Sequence, residues 1–576
     1  MAQPQPSLFE QFASGWRGYA LIALIALMSG LFGAGRVPVM DADEARFAQA
    51  SRQMVESGEY VLIRLQDEER RLKPIGVYWA QAASVQLFEP LTGRTNAIWP
   101  YRLPSALGIV LAALAVLWGG TALIGSRAAL YGAGLFAAGV LVGFEGMTAK
   151  TDALLLGFTT LAMAALARLR APAVRPGPRV LALVFWAALA LGVMIKGPVT
   201  PLVVALTLLA IAGWERRFAW MKPLAWWPGP LLAVAIVAPW AVLVSIETNG
   251  RFFADMFAED IVPKLLSGQE SHFALPGFHT FLLPFLIFPA TYALPAAARI
   301  VLDAVRAPRN DDGQAPIRFL IAWAVPILIF FELAPTKLPH YALPAYPAIA
   351  LLCGAGLSAI MGRRWRTAHP AGVVMFAVCG ISIVALMAAS ATFMPGDFAA
   401  DFRRAVSTAL IGIGVVGAGT VALIMLRRPA ARAAAMVLCA LVLSFSLRER
   451  LLPEARSLFV SSEAVAALTR ARLTPRDTRP LWVVGYNETS LVFLTRTSIR
   501  VTEPMQAAEM AEAGDAMIVE GRLLQTMASD LEVRGLAFSP AEPPVRGFAL
   551  GRGERVALFV GQVTEAPVLN EAADGR

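Results

Sequence analysis

The chain has 576 residues, of which 57% are hydrophobic and only 16% are charged, and its mean hydropathy is +0.60. Soluble domains have about 45–50% apolar and about 25% charged residues, so this composition excludes a soluble globular, a disordered and a coiled-coil protein. Three cysteines exclude a disulfide scaffold. The net charge of +9 does not indicate nucleic-acid binding, because the basic residues lie in short loops between apolar segments.

About thirteen apolar runs approach the length of a membrane-spanning helix, which needs roughly 20 residues. The first run is too long for a signal peptide and ends at Arg36-Val37-Pro38, which is not a cleavage site, so it predicts an uncleaved anchor. The sequence therefore predicts a polytopic all-α membrane domain over residues 1–450. The runs are centred on residues 17–36, 102–124, 127–145, 151–168, 180–196, 198–214, 225–246, 277–298, 317–334, 341–361, 370–393, 405–426 and 431–448.

Every second loop between these runs is rich in arginine, and such loops stay in the cytoplasm of membrane proteins. This pattern predicts a cytoplasmic N-terminus and a tail on the outer side, which in a bacterium is the periplasm. Two long loops, residues 37–101 and 247–276, then face outward, where long loops usually carry function. Five of the six lysines lie in or beside outward loops, which predicts an anion-binding site on that face. These five are Lys73, Lys150, Lys196, Lys264 and Lys337.

The first outer loop begins with a cluster of carboxylates, Asp41, Asp43 and Glu44, directly after the first apolar run. From Glu44 to about Ser57 the apolar positions recur at helical spacing, so Asp43 is placed to cap an interfacial helix. A cap explains one carboxylate but not three, and carboxylates at the membrane surface are usually functional. The cluster therefore predicts an acidic site at this position.

The same loop continues with Lys73-Pro74 and, four residues after the proline, the aromatic pair Tyr78-Trp79. A proline that opens a helix with an aromatic pair one turn on predicts a second interfacial helix. Lys73 would lie at its N-terminus, a position that favours anions. Arg102 follows at the outer interface, where the next spanning run begins.

After about residue 450 the spanning runs stop. Short β-type runs at 481–485, 516–520 and 556–560, with helical stretches at 461–472 and 504–513, predict a small α/β domain over residues 451–576, outside the membrane. This tail contains no phosphate loop and no dinucleotide fingerprint.

Taken together, these motifs resemble those of the bacterial lipid A aminoarabinose transferases and, more widely, the protein O-mannosyltransferase-like superfamily of GT-C glycosyltransferases. The resemblance covers essentially the whole chain. The matching motifs are Asp43-Glu44-x-Arg46-Phe47-Ala48, Lys73-Pro74-x-x-x-Tyr78-Trp79, Arg102-Leu103-Pro104-Ser105, Thr151-Asp152, Lys196-Gly197-Pro198, Lys337-Leu338-Pro339-His340-Tyr341, Gly485-Tyr486 and Ser490-Leu491-Val492-Phe493.

The resemblance implies an inner-membrane enzyme that takes a sugar from a polyprenyl-phosphate donor on the periplasmic face, usually with inversion. It implies that Asp43, assisted by Asp152 and Glu44, acts on the acceptor or the sugar. Cations facing the leaving phosphate would stabilise its developing charge. The residues predicted to bind the donor phosphate are Lys73, Arg46, Lys196, Lys337, Arg102 and, as a hydrogen-bond donor, Tyr341. Tyr78, His340 and His272 are predicted to contact the acceptor or to be structural.

The resemblance also brings a divalent metal into consideration, because the aminoarabinose transferases hold one through an acidic residue before the Lys-Pro motif and through histidines of loop and tail. Here Leu72 occupies the acidic position, and no histidine follows residue 369. The sequence therefore indicates no certain cofactor and disfavours a divalent metal without excluding one. The predicted partners are the polyprenyl-phosphate sugar, an acceptor such as lipid A, and membrane lipids.

Two alternatives stay open. A protein O-glycosyltransferase of the same superfamily would use the same donor chemistry on a different acceptor. A transporter or flippase of lipid-linked sugars would show internal repeats and charges in midplane helices, whereas here the ionisable residues crowd one face.

Overall fold

A computed structural model describes residues 8–41, 43–171, 176–263, 274–360, 368–392, 399–476 and 480–566. Apolar helices dominate the chain up to residue 445. The helices of this part are α1 (Leu8–Ser14), α2 (Trp16–Leu31), α3 (Asp43–Ser57), α4 (Gly76–Thr92), α5 (Trp99–Ile124), α6 (Ser126–Ala137), α7 (Val140–Met147), α8 (Asp152–Arg170), α9 (Pro178–Lys196), α10 (Val199–Glu215), α11 (Pro228–Glu247), α12 (Arg251–Asp255), α13 (Phe278–Leu286), α14 (Leu294–Arg306), α15 (Ala315–Leu333), α16 (Tyr346–Ala359), α17 (Ala368–Thr392), α18 (Ala399–Met425) and α19 (Pro429–Phe445).

All thirteen predicted apolar runs coincide with helices. Within the described ranges, nine helical segments are long and apolar enough to cross a membrane. Two further runs are bent pairs, α6 with α7 at 55° and the segment from α13 to α14 at 109°, which would raise the number to eleven. The remaining two runs, α2 and α10, form apolar helices of 16 and 17 residues, shorter than a full span. The predicted fold class of a polytopic helical membrane protein is confirmed, whereas the number of spans stays a prediction.

The helices approach each other closely where small residues meet. A Cβ atom on Gly108 of α5 would lie 2.6 Å from the backbone of Ala153 and Leu154 in α8, and Gly157 of α8 faces Gly108 in turn. Such small residues allow two backbones to come into contact, which is how helices associate where no hydrophobic effect drives them together. This contact fixes the N-terminal end of α8, where Asp152 is the first residue.

The first outer loop folds onto the end of the bundle. Its helix α3 begins at Asp43, one residue before the predicted start at Glu44, and α4 begins two residues after the Lys73-Pro74 motif. Between these helices lies a short antiparallel hairpin, β1 (Arg64–Leu65) with β2 (Glu68–Glu69). In the second long loop, α12 runs into a π-helical turn over Met256–Ile261.

The tail is a mixed α/β unit, as predicted. Its elements are α20 (Val460–Arg470), β3 (Leu481–Val484), α21 (Thr489–Leu494), β4 (Arg500–Thr502), α22 (Pro504–Met510), β5 (Ala516–Glu520), α23 (Leu524–Glu532), β6 (Leu536–Pro540), β7 (Val545–Ala549) and β8 (Glu554–Glu565). The sheet has the order β4-β3-β5-β8-β6, with β7 paired to β8. Strand β3 is parallel to β4 and β5, and β8 is antiparallel to its neighbours. Apolar clusters cover both faces of the sheet.

The tail docks on the first outer loop through α21 and the residues after it. Arg52 of α3 donates a hydrogen bond of 2.7 Å from Nη1 to the carbonyl of Phe493, and Asn96 donates one of 2.9 Å to the carbonyl of Leu494. Gln66 donates from Nε2 to the carbonyl of Thr497 at 3.0 Å. Because these side chains satisfy backbone carbonyls of the tail, the docked tail holds the helix that begins at Asp43.

Candidate active site

A cavity of about 630 Å³ opens at the end of the bundle where the two long loops lie. Its walls combine apolar side chains, such as Leu155 and Phe331, with charged groups delivered by five separate segments of the chain. The predicted site residues that line it are Asp43, Arg46, Lys73, Asp152, Lys196, His340 and Tyr341.

Asp152 and Lys196 reach the cavity from the ends of two adjacent spans. Asp152 is the first residue of α8 and Lys196 the last of α9, and Lys196 Nζ lies 2.6 Å from Asp152 Oδ1. Gly197 follows with φ +56°, a backbone conformation that glycine adopts readily, and it turns the chain sharply into α10. The Lys196 ammonium also lies 5.7 Å from the centre of the Tyr341 ring, so three predicted site residues meet here.

Lys73 meets the second long loop. Its ammonium is paired with the carboxylate of Asp260, on the π-helical turn, and both side chains are largely buried. Asp260 was absent from the sequence-based prediction because nothing distinguishes it from the neighbouring Glu259 and Asp255 in the sequence. Asp260 therefore occupies the position at which an anionic ligand would bind to Lys73.

Asp43 is the most accessible carboxylate among the predicted catalytic residues. Its side chain is 54% exposed, and its Oδ1 lies 4.0 Å from Nη1 of Arg46, one turn further along α3. A wide separation and half-exposed side chains make this pair weak. Asp43 is therefore free to contact a substrate that fills the cavity.

A second carboxylate, Glu145, lies behind the cavity, and the sequence-based prediction missed it. Glu145 is 2% exposed; its Oε2 lies 3.2 Å from Lys150 Nζ, and its Oε1 lies 3.8 Å from Nδ1 of His340. The other ring nitrogen of His340 lies 3.8 Å from Asp152 Oδ1, so the imidazole sits between two buried carboxylates. Burial opposes the charge on Lys150, but Glu145 and Asp152 raise its pKa above the usual value.

The predicted phosphate ligand Arg102 and the predicted catalytic residue Glu44 pair with each other and do not line the cavity. Arg102 and Glu44 form a fully buried bidentate pair, with Nε to Oε1 at 2.9 Å and Nη2 to Oε2 at 2.8 Å. Arg102 also donates to the carbonyls of Ala34, Val37 and Pro38, and Glu44 accepts from the backbone of Met40 and Ala149. Because every charged group is satisfied internally, Arg102 is not placed to bind the donor phosphate and Glu44 is not placed for catalysis.

Two further predicted residues do not line the cavity. Lys337 is buried and donates to the carbonyls of Ala274 and Ala334, at 2.8 and 2.6 Å, so it ties loop backbone together instead of facing a phosphate. Tyr78 is fully buried against Phe47, with the ring centres 5.4 Å apart. His272 lies outside the described residues.

A pair of buried carboxylates joins the first loop to the tail. Asp41 accepts a hydrogen bond from Ser490 in α21, and burial raises the pKa of Asp41 above its usual value. Glu488 is 6% exposed; burial, and after it the charge of Asp41, raise the pKa of Glu488 to about 7. We therefore expect the contact between loop and tail to respond to pH near neutrality.

We expect Glu488→Gln to raise the apparent Tm of the purified protein at pH 8 and to leave it nearly unchanged at pH 5. A carboxyl whose pKa rises on folding stabilises the fold fully below its unfolded value of 4.5 and loses that contribution as the pH rises through about 7. Glutamine keeps the neutral form at every pH. Differential scanning fluorimetry tests this, with the exposed Glu503→Gln as the control; an equal Tm difference at both pH values would contradict it.

Among the described residues, the side chains around the cavity do not form a metal site. In the part of the chain that the structure describes, no group of three or more His, Cys, Asp or Glu side chains is arranged to hold one. Leu72, which stands where the resembling transferases have an acidic ligand, lines the cavity with an apolar side chain. The proposed reaction therefore uses only protein side chains and no metal ion.

Comparison with known proteins confirms the predicted resemblance. A family model described as dolichyl-phosphate-mannose-protein mannosyltransferase matches residues 72–243. An undecaprenyl phosphate-alpha-4-amino-4-deoxy-L-arabinose arabinosyl transferase from Pectobacterium atrosepticum is 30% identical over 361 residues, which is 60% of each chain. A transferase of the same name from Erwinia tasmaniensis is 29% identical over 54% of each chain. These matches span less than two thirds of the relatives' own length.

The fold extends beyond these alignments. The crystal structure of ArnT from Cupriavidus metallidurans bound to undecaprenyl phosphate superimposes with a TM-score of 0.73 at 20% identity, over 94% of this chain and 97% of that one. At this level of identity the likeness concerns the fold. The predicted GT-C type of fold is thus confirmed along nearly the whole chain.

Proposed function

We propose that the protein is an integral membrane glycosyltransferase that moves a sugar from a polyprenyl-phosphate donor to an envelope acceptor, of which lipid A is the first candidate. The observation that carries this proposal is the composition of the cavity. Apolar side chains of α8, α10 and α15 line it, which suits a polyprenyl chain, and cations reach it from α3, from the Lys73 loop and from α9. A lipid phosphate is the chemical class that matches both kinds of lining residue.

The similar proteins support the donor class. Two relatives are named as transferases that use undecaprenyl phosphate-linked 4-amino-4-deoxy-L-arabinose, and the structure with the same fold was solved with undecaprenyl phosphate bound. A pentosyl or hexosyl group on undecaprenyl phosphate is therefore the donor that we propose for this chain.

The reaction is a displacement at the anomeric carbon of the sugar. The bond from this carbon to the phosphate oxygen breaks, and the leaving polyprenyl phosphate takes the electron pair. Lys73 and Lys196 stabilise the negative charge that develops on it, because preorganised cations act strongly in a site that excludes water. A new bond forms to an acceptor oxygen. Asp43 accepts the proton of a hydroxyl acceptor, or orients an acceptor that is already an anionic phosphate.

We further propose that the displacement is a single step with inversion. A retaining mechanism by double displacement would need a carboxylate nucleophile next to the anomeric carbon. Asp152 is paired with Lys196 and Asp260 with Lys73. Asp43 acts on the acceptor in the proposed reaction, so none of these three carboxylates serves as the nucleophile. Nuclear magnetic resonance of the product's anomeric proton tests this step.

The proposed location is the bacterial inner membrane, with the N-terminus in the cytoplasm and the cavity and tail in the periplasm. The arginine-rich loops support this orientation. We expect alkaline phosphatase fused after residue 566 to be active and the same enzyme fused at residue 310 to be inactive. The reverse pattern would place the cavity on the cytoplasmic side and contradict the proposed donor.

Removing the carboxylate that pairs with Lys73 is expected to strengthen donor binding. In Asp260→Asn, the ammonium of Lys73 no longer has to leave a protein anion before it binds the donor phosphate, so the Kd for undecaprenyl phosphate should fall about tenfold at low salt. The control is Glu247→Gln, which removes an exposed charge from the same end of the bundle. An unchanged or higher Kd in Asp260→Asn alone would show that the pair does not compete with the phosphate.

Mass spectrometry of envelope lipids tests the proposed function in cells. The strains are a deletion mutant, the mutant with the wild-type gene restored, and the mutant with Asp43→Asn. The proposal predicts that lipid A loses one sugar mass and that the matching polyprenyl-phosphate sugar accumulates in the first and third strains. Accumulation with unchanged lipid A would point to a protein or another envelope glycan as the acceptor. Unchanged lipid-linked sugars in all strains would contradict a transferase.

A further inference from the structure

The cations of the cavity differ in whether a protein carboxylate balances their charge. Lys73 is paired with Asp260, and Lys196 with Asp152 at 2.6 Å. Arg46 has Asp43 at 4.0 Å. An incoming anion therefore has to compete with a carboxylate at each of these three positions.

Arg70 is the exception among the arginines and lysines that line the cavity. No carboxylate of the described chain lies within ion-pair distance of its guanidinium, and its buried Nε has no hydrogen-bond partner there. The guanidinium interacts with the neighbouring hydroxyl of Tyr78 through its charge and a side-chain hydrogen bond, but this neutral group cannot balance the charge. A buried donor left without an acceptor is costly, which indicates that a ligand supplies the acceptor.

Stacking already orients this guanidinium. Its central carbon lies 5.5 Å from the centre of the Phe47 ring, on α3. A stacked arginine loses little conformational freedom when it binds, and its planar fork matches two oxygens of a phosphate. The backbone of Arg70 is fixed as well, because its N–H donates to the carbonyl of Ile63 at 2.8 Å.

We infer that Arg70 is an anion-binding residue of the cavity that takes two oxygens of a substrate phosphate. The inference rests on the proposed function for the source of that phosphate, which is either the polyprenyl-phosphate donor or a phosphate of the lipid acceptor. Arg70 would differ from Lys73 and Lys196 in binding this phosphate without first releasing a protein carboxylate.

The test measures binding, separately, of undecaprenyl phosphate and of lipid A to the full-length protein in lipid nanodiscs. Arg70→Gln is expected to weaken the binding of one of the two by at least about tenfold, since a bidentate charge-assisted contact is lost. Arg70→Lys, which keeps the charge and loses the fork, should fall between Arg70→Gln and the wild type. Arg94→Gln, an exposed arginine of the same loop, is the control.

Comparing undecaprenyl phosphate with lipid A shows which of the two molecules supplies the phosphate that Arg70 binds. A loss confined to undecaprenyl phosphate assigns Arg70 to the donor, and a loss confined to lipid A assigns it to the acceptor. Unchanged affinity for both ligands in Arg70→Gln, or in Arg70→Lys if the glutamine variant does not fold, overturns the inference. Because binding is measured without sugar transfer, a wild-type protein that binds through Arg70 but transfers no sugar would refute the proposed function and leave the inference standing.

Discussion

Asp43→Asn is expected to reduce sugar transfer by about 10³-fold while the protein still folds and inserts into the membrane. Asparagine has nearly the same size as aspartate but cannot accept a proton, and general-base catalysis contributes about 10²–10⁴-fold. The side chain is half exposed, and among the described residues its one ion pair is the distant one with Arg46, so the fold loses little. Initial rates with a polyprenyl-phosphate sugar and lipid A in detergent measure the effect.

The matched control is Asp67→Asn, in the exposed hairpin turn of the same loop, which should keep the wild-type rate. Measuring the donor affinity of Asp43→Asn shows whether a lower rate comes from catalysis or from donor binding, because Asp43 is not proposed to bind the donor phosphate. A rate within a few-fold of wild type would remove Asp43 from catalysis. A proportional loss of donor affinity would instead assign it to binding.

Breaking the buried pair of Glu44 and Arg102 should have the largest effect on stability. Glu44→Gln leaves the guanidinium of Arg102 buried without a counter-charge, and removing one partner of such a pair costs about 3–5 kcal/mol. We expect Glu44→Gln and Arg102→Gln each to lower the apparent Tm by at least about 5 °C. The double variant Glu44→Gln with Arg102→Met should recover part of this loss, because no isolated charge remains.

Arg64→Gln, which removes a half-exposed arginine of the same loop, serves as the control and should leave the Tm nearly unchanged. The experiment also decides between the predicted and the observed role of Arg102. A stable Arg102→Gln protein with weakened undecaprenyl phosphate binding would restore the role in phosphate binding that the sequence suggested. Loss of stability without a specific loss of donor affinity agrees with the observed buried pair.

Much of the fold could be predicted because long apolar runs and strand-type runs have few alternatives. Every predicted apolar run is helical, and the β-type runs at 481–485, 516–520 and 556–560 became β3, β5 and β8. The bends were not predicted, although Gly139 and Pro289 lie at the breaks after Ala137 and Leu286 and such residues favour a break in a helix.

The candidate site could be predicted in part because its residues lie at the same ends of successive spans. Topology alone places Asp152, at the start of α8, beside Lys196, at the end of α9. The same argument brings His340 and Tyr341 to this end. Their presence in one cavity agrees with the predicted site, and their roles in catalysis stay proposals.

The pairing of charges could not be predicted. The sequence indicates interfacial charges at Glu44, Arg102 and Lys337. In the structure all three are buried: Glu44 accepts from Arg102, and Arg102 and Lys337 donate to backbone carbonyls. Glu145 could have been predicted as a site residue, because it is a single carboxylate within an apolar run and such residues usually have a functional partner. Asp260 and Arg70 are recognised only from the distances between loops.

Reconstitution tests the central claim most directly. The purified protein, in nanodiscs, is incubated with undecaprenyl phosphate-linked 4-amino-4-deoxy-L-arabinose and lipid A. The masses of both lipids are then measured by mass spectrometry. The account predicts lipid A heavier by one sugar residue, an equal amount of undecaprenyl phosphate released, and neither product with Asp43→Asn. An intact donor after incubation of the folded wild-type protein, with this sugar and with other polyprenyl-phosphate sugars alike, would contradict it.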